Sequence, residues 1–353
     1  MRPSIPRLSR LIASTRPIAQ IRVASLPLPC TSSLRPLKST TLPPPSPAST
    51  QIRANHSHSY TTPPSSQIKD QVPVELSYDV VEPSKPSPEA EGQSLVICHG
   101  LFGSKQNWRS LAKAFAAQLG MPVYTLDLRN HGQSPHASPH NYAAMAADIH
   151  HFFQARNLTS GVNLLGHSMG GKAVMAVALN KELNGALRTL ISVDMSPARG
   201  KISPEFASYT QAMIDIEKAK VRTKQEADKL LQSTEPMLPT RQFLLTNTRL
   251  SREGPEPHLV FRIPLQLLSE SIPQIGDFPY KPPPPVTEAS PEWQGPTLFI
   301  KGEHSKYINK HNIPVAEQFF PNMKLEVLDT GHWVHAEKPA ETVELVKAFI
   351  QGA

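Results

Sequence analysis

Five residues, Gly166-His167-Ser168-Met169-Gly170, place a hydroxyl between glycines. They come directly after the apolar run Val162-Asn163-Leu164-Leu165 and directly before Gly171-Lys172-Ala173-Val174-Met175-Ala176. A strand that enters a sharp turn and opens a helix pushes the serine at the apex out of the backbone, where a base can take its proton. Gly166 and Gly170 suit such a turn because side chains there would collide, and Gly171 lets the helix lie close to the strand. The chemistry indicated is nucleophilic acyl transfer with Ser168 as nucleophile and His167 beside it in the turn. A glycine-rich, phosphate-binding helix start is the competing reading, but neither the lysine position of a P-loop nor the glycine spacing of a dinucleotide fingerprint is present.

A serine hydroxyl needs a base, an acid to orient that base, and donors for the oxyanion. His332, in Gly331-His332-Trp333-Val334-His335, follows the last apolar run and completes the chain order serine, acid, histidine. His335 is the alternative base, and His136, His140 and the histidines of the amino-terminal tail read as solvent contacts. Two carboxylates compete for the third role. Asp194, after Leu190-Ile191-Ser192-Val193, stands at a strand's carboxyl end and is preferred. Glu303, in Lys301-Gly302-Glu303-His304-Ser305, is the alternative acid, in a turn that carries no aspartate. Asp329 is too close in sequence to His332 and reads as a turn residue. For the oxyanion, one N–H is expected from Met169. The other is expected from Leu101 or Phe102, in His99-Gly100-Leu101-Phe102-Gly103. Trp108, Phe102, Met195 and Trp333 are expected to line an acyl or alcohol pocket. Asp127-Leu128-Arg129-Asn130-His131-Gly132-Gln133-Ser134 reads as a brace beneath the site. A zinc site from His99, Asp127 and His131 would need three converging ligands and an open position, which nothing in the spacing secures, so no metal and no cofactor is assigned.

These residues sit at the ends of recurring elements. Leu95 to Cys98, Val123 to Leu126, Val162 to Leu165, Leu190 to Val193, Thr297 to Ile300 and Leu325 to Leu328 are near-continuous apolar runs, the signature of strands buried on both faces of a mostly parallel sheet. Val72, Val74 and Leu76 alternate with Pro73 and Glu75 as an edge strand would. Helical periodicity fills 106–119, 141–157, 171–183, 312–320 and 339–350, with Asn141 and Pro339 near two of the starts. The pattern predicts an α/β domain with helices on both faces of the sheet. The interval of about 100 residues between Pro197 and Pro296 breaks the rhythm. Helical character at 204–232 and 239–248, then Phe261 to Ser271 and the proline-rich stretch Pro279 to Pro285, predict a helical cap over the strand ends at about 198–295.

Residues 1–60 hold eight of the 36 basic residues and no acidic one, leaving 28 basic against 29 acidic residues in the remainder. The basic character of the chain therefore belongs to its tail and does not argue for nucleic-acid binding by the body. Arg2, Arg7 and Arg10 among Ile5, Leu8, Leu11 and Ile12 predict an organelle import presequence, a mitochondrial location and the import machinery as partner. The residues from 61 to 71 are expected to link this tail, which is rich in Pro, Ser and Thr from residue 36, to a domain at 72–350. No apolar stretch reaches the roughly 18 residues that span a bilayer. Cys30 and Cys98 suggest no structural disulfide.

Taken as a set, His99 to Ser104, Asp127 to Ser134, Gly166 to Gly171, Ser192-Val193-Asp194 and Gly331 to Pro339 resemble the α/β-hydrolase superfamily over roughly residues 72 to 350. They are most similar to a mitochondrial abhydrolase branch that includes fungal ethanol acetyltransferases and bacterial acyl-CoA esterases. The resemblance implies a serine hydrolase fold with Ser168, Asp194 and His332 as the triad, and a loop at Gly302 to Ile308 that carries no triad acid. It implies ester, thioester or acyl-CoA substrates cleaved through an acyl-enzyme, or, alternatively, alcohol O-acetylation from acetyl-CoA and ethanol. The cap is longer and richer in proline than the family pattern. A non-catalytic scaffold of this fold would be expected to lack the nucleophile, base or oxyanion loop, and all three are present.

Overall fold

The computed structural model describes Ile68 and residues 70–281 and 292–353. The expected presequence, most of the expected linker and Pro282 to Pro285 lie outside the described residues.

Strands β1 (Tyr78–Val81), β2 (Ser94–Cys98), β3 (Val123–Leu126), β4 (Val162–His167) and β5 (Leu187–Val193) come first along the chain. After an insertion carrying the hairpin β6 (Thr248–Ser251) and β7 (His258–Phe261), β8 (Thr297–Gly302) and β9 (Met323–Leu328) complete the main sheet. Its order is β1-β3-β2-β4-β5-β8-β9. β1 runs antiparallel to β3, with Tyr78 opposite Leu126, and every other pair is parallel. β2 and β4 are buried along their whole length, whereas the edge strands β1 and β9 carry exposed residues. Central strands covered on both faces need continuous apolar runs, and edges do not.

Helices α1 (Arg109–Leu119), α2 (Tyr142–Ala155) and α3 (Met169–Ala178) connect the first strands. The insertion holds α4 (Glu205–Lys218), α5 (Lys224–Leu231), α6 (Leu238–Leu245) and α7 (Leu265–Gly276). After β8 come α8 (Ile313–Phe319), the single turn α9 (Val334–Glu337) and α10 (Pro339–Gln351). Successive strand residues point to opposite faces, so Leu95 and Ile97 join the core formed with α1 and α10. Val96 and Cys98 join the core formed with α2, α3 and the insertion. Asn141 caps α2 by accepting from the Ala144 amide at 2.9 Å, and Pro339 opens α10 where its missing N–H costs nothing. No helix among the described residues is long and apolar enough to cross a membrane.

Two local expectations are corrected. The edge strand is Tyr78–Val81, not the Val72–Leu76 run. Pro73 has no donor for a ladder, and the Val74 amide donates to the Asp148 carboxylate at 2.7 Å, which ties this segment down as a strap. The insertion is also not wholly helical. The expected helix over 204–232 breaks at 219–223, where Lys220 takes a positive φ of 50° and Thr223 caps α5 through the Glu226 amide. The β6–β7 hairpin, pairing Thr248 with Phe261, was not anticipated. Its four-residue strands are too short to give a period-2 signal.

Candidate active site

Ser168 sits between β4 and α3 at φ 54° and ψ −119°, and its amide donates to the Val193 carbonyl at 3.1 Å. A non-glycine residue in that region carries a strain of about 1–3 kcal/mol, held here by its surroundings. The two flanking glycines are required by contact. A Cβ on Gly166 would lie 2.2 Å from the Gly170 carbonyl oxygen, and one on Gly170 would lie 2.5 Å from the carbonyl oxygens of both Cys98 and His99.

A line of hydrogen bonds leaves this serine. His332, on the loop between β9 and α9, places Nε2 2.9 Å from Ser168 Oγ and Nδ1 2.6 Å from Asp194 Oδ2. With Nδ1–H donated to the carboxylate, Nε2 is left as the acceptor for the serine proton, the tautomer that a general base requires. Asp194 is fully buried just past β5, at φ 49°. Its Oδ1 accepts from the Gly302 amide at 3.0 Å, and its Oδ2 also accepts from Ser305 Oγ. The turn after β8 thus carries no acid to the site but supplies two donors to the acid at the end of β5. Glu303, in that same turn, is exposed, and its carboxylate lies within 4.8 Å of a ring nitrogen of His304 and of the Asp329 carboxylate. Asp329 is exposed too and accepts from His304 Nε2 at 2.7 Å.

His332 is itself held in place. His167 Nε2 donates to its backbone carbonyl at 3.0 Å, and the Tyr307 ring stacks on its imidazole with centroids 4.1 Å apart. Burial pushes the His167 pKa well below its ordinary value, so this ring is neutral and its one N–H is committed to that bond. His335 does not reach the serine. It stacks on Trp108 at 4.2 Å, and burial lowers its pKa to about 3.

Of the expected oxyanion donors, Phe102 is corrected. Its amide donates to His131 Nε2 at 3.1 Å, its carbonyl accepts from Asn247 Nδ2 at 2.8 Å, and its φ is 62°. Phe102 therefore shapes the loop. Leu101 and Met169 both line the cavity at Ser168, and neither amide has an acceptor among the described residues. Met169 opens α3, where first-turn amides have no partner within the helix.

The residues of the weak metal reading are occupied by other bonds. His99 Nε2 accepts from the Leu128 amide at 3.0 Å, and Asp127 accepts from the amides of Lys105 at 2.7 Å and Gln133 at 2.9 Å. His131 is engaged through both ring nitrogens, to Phe102 and to the Arg129 carbonyl. Burial lowers the pKa of His99 to about 4 and of His131 to about 3. These groups brace the Leu101 loop, and beside them Arg129 forms a buried pair with Asp148, Nε to Oδ2 at 2.6 Å. His140 is corrected as well. It is buried and bonded to Asn130 Nδ2 at 3.1 Å, and is no solvent contact.

Two cavities meet at Ser168. One, of about 250 Å³, runs past Leu101, Met169, Lys172, Met195 and Tyr307. The other, of about 30 Å³, lies beside His332 and is lined by Trp108, Phe206, Phe243 and Trp333. Ser305, Tyr307 and Lys172 were missed from sequence. Ser305 had no signal of its own until Asp194 was known to be its partner. Lys172 was visible only as the residue one helical turn past the nucleophile. Its ammonium is buried and donates to the carbonyls of Gly276 at 3.0 Å and Asp277 at 2.9 Å, which ties the C-terminus of α7 to α3. Burial lowers its pKa to about 7.

Residues 93–339 match the model of the α/β-hydrolase fold family, and the chain belongs to that family. It is 36% identical over 296 residues to a probable alcohol acetyltransferase of Saccharomyces cerevisiae, covering 80% of this chain and 84% of the relative. It is 38% identical over 285 residues to the sn-1-specific diacylglycerol lipase ABHD11 of Xenopus tropicalis, covering 79% and 83%. Among solved structures, a marine microorganism esterase superposes with a TM-score of 0.68 at 31% identity, over 78% of this chain and 99% of that one.

Proposed function

We propose that the protein is a serine hydrolase that cleaves carboxylic ester or thioester bonds through an acyl-enzyme. The observation that carries this reading is the unbroken line from Ser168 Oγ through both nitrogens of His332 to Asp194 Oδ2. Ser168 Oγ bonds to the carbonyl carbon as His332 Nε2 takes its proton. The Leu101 and Met169 amides receive the oxyanion, and Asp194 stabilises the imidazolium without taking the proton. As the tetrahedral species collapses, the bond to the alcohol oxygen or thiol sulfur breaks and His332 returns the proton to that atom. Water, activated by the same histidine, then releases the acid and frees Ser168.

A second reading, alcohol acyltransfer, is favoured by the small cavity beside His332, lined by Trp108, Phe206, Phe243 and Trp333, which suits a short alcohol, and by the relative from Saccharomyces cerevisiae. The full chain is to be incubated with p-nitrophenyl acetate and butyrate, alone and with ethanol, and products counted. Turnover is expected to vanish in Ser168→Ala, and unchanged turnover would remove Ser168 from its role. Ethyl ester formed in excess of free acid would make the protein a transferase.

The amino-terminal 60 residues, basic and free of acids, are proposed to direct import into mitochondria ahead of a hydrolase domain at 72–350 with its cap at about 198–295. A fusion of residues 1–60 to a fluorescent protein is expected to co-localise with mitochondria, and cytosolic fluorescence would argue against it.

A further inference from the structure

The larger cavity at Ser168 has an unusual charge. Lys172, Arg199, Lys201 and Lys306 line it, and among the described residues no carboxylate does. Arg199 is partly committed, with Nε 3.2 Å from Asp277 Oδ1, and the carboxylate of Glu205 nearby accepts from Ser203 Oγ. Lys172, Lys201 and Lys306 have no carboxylate within 4 Å among the described residues, although the Asp277 carboxylate acts on Lys172 from farther off. Lys172 is buried, with two of its three N–H donors spent on the α7 carbonyls. The Tyr307 hydroxyl, on the same wall, is buried without a hydrogen-bond partner.

The direction of the reaction says which part of a substrate this cavity receives. A leaving group must take its proton from His332 Nε2, so it departs through the small cavity that His332 lines. The acyl chain then extends into the larger one, which His332 does not line. A volume of 250 Å³ holds about eight water-sized groups, the size of a five-carbon acyl chain with a carboxyl group at its far end.

We infer that the larger cavity is an acyl subsite for short chains ending in a carboxylate, bound by the Lys172 ammonium and the Tyr307 hydroxyl with Lys201 and Lys306 drawing the anion in. The assignment rests on the acyl-enzyme reading above and names its substrate class as dicarboxylic half-esters or half-thioesters. A neutral chain of equal length would leave the remaining N–H of the ammonium and the hydroxyl without a partner, and unpaired buried polar groups are what make such sites selective.

The test compares the full chain's kcat/KM for monomethyl glutarate and for methyl valerate, which differ by one terminal carboxylate. A preference of roughly tenfold or more for the half-ester is expected, the range of a charge-assisted hydrogen bond, and it should collapse in Lys172→Met. Because Lys172 also ties down α7, the exposed pair Lys201→Gln/Lys306→Gln is measured beside it, and the preference should fall there too. Equal rates for both esters, a preference for methyl valerate, or a preference that survives both variants would overturn the assignment. Binding of monomethyl glutarate and of methyl valerate to Ser168→Ala, measured by calorimetry, separates the subsite from the chemistry. If neither ester is turned over, the acyl-enzyme reading fails, and the subsite still stands or falls on whether monomethyl glutarate binds and methyl valerate does not.

Discussion

Replacing Asp194 with asparagine tests the orientation of the site with little disturbance of its shape. The side chain is nearly isosteric, and asparagine tolerates the positive φ of 49° found there. Its amide oxygen can still accept from the Gly302 amide, 3.0 Å from Oδ1. The NH2 group, however, must then take the place of Oδ2, facing Ser305 Oγ and His332 Nδ1. The serine hydroxyl can rotate to accept. The imidazole can accept at Nδ1 only by moving its proton to Nε2, which then points at Ser168 Oγ and cannot receive the serine proton. Loss of the productive tautomer in a serine triad costs roughly four powers of ten in kcat, or about 5.5 kcal/mol of barrier. The assay is ester turnover at pH 7 with burst-phase titration of the acyl-enzyme, alongside thermal unfolding. Near-normal unfolding with kcat down by that factor is expected, while Glu303→Gln, an exposed change, should leave kcat unaltered. Retention of more than a tenth of kcat by Asp194→Asn, or a comparable loss in Glu303→Gln, would refute the reasoning.

Ser305→Ala removes one of the three donors to Asp194 and leaves His332 and Gly302 in place. A fall of about tenfold in kcat with KM unchanged is expected from steady-state kinetics. Arg129→Met breaks a pair buried on both sides and strands the Asp148 carboxylate, with an expected loss of about 3–5 kcal/mol in urea unfolding. Acid should destabilise the fold through the histidines buried as neutral rings. His99, His131 and His335 have folded pKa values of about 4, 3 and 3 against an ordinary value of 6.5, so below pH 6.5 the unfolded chain binds more protons. Their stabilisation is complete above pH 6.5 and is lost as pH falls toward the folded values, by about 2 kcal/mol for each of the three at pH 5. A urea midpoint unchanged between pH 7 and pH 5 would contradict this.

Much of the sheet was legible because buried parallel strands announce themselves as apolar runs. Six such runs, from Leu95–Cys98 to Leu325–Leu328, lie within β2, β3, β4, β5, β8 and β9, but the last of them is an edge strand with Val327 exposed, not one buried on both faces. Where local pattern was weak it misled. Val72 to Leu76 alternated like a strand, but a side-chain carboxylate took its amide, and β6 and β7 were too short to signal a hairpin.

Sequence alone singled out Ser168 by the turn its glycines permit, and His332 by its place after the last strand, since both depend on neighbours in the chain. It left two acids and two amides open. Proximity across the sheet places those candidates differently. β5 and β8 lie side by side, so Gly302 and Ser305 close over Asp194 and turn it toward His332, while Glu303 faces water. The fold of the Asp127–Ser134 segment places His131 where it claims the Phe102 amide and leaves that of Leu101 without an acceptor. The cationic wall of the larger cavity draws Lys172, Lys201 and Lys306 from three separated stretches of chain. Such choices rest on contacts between residues far apart in sequence, and these exist only once the chain has folded.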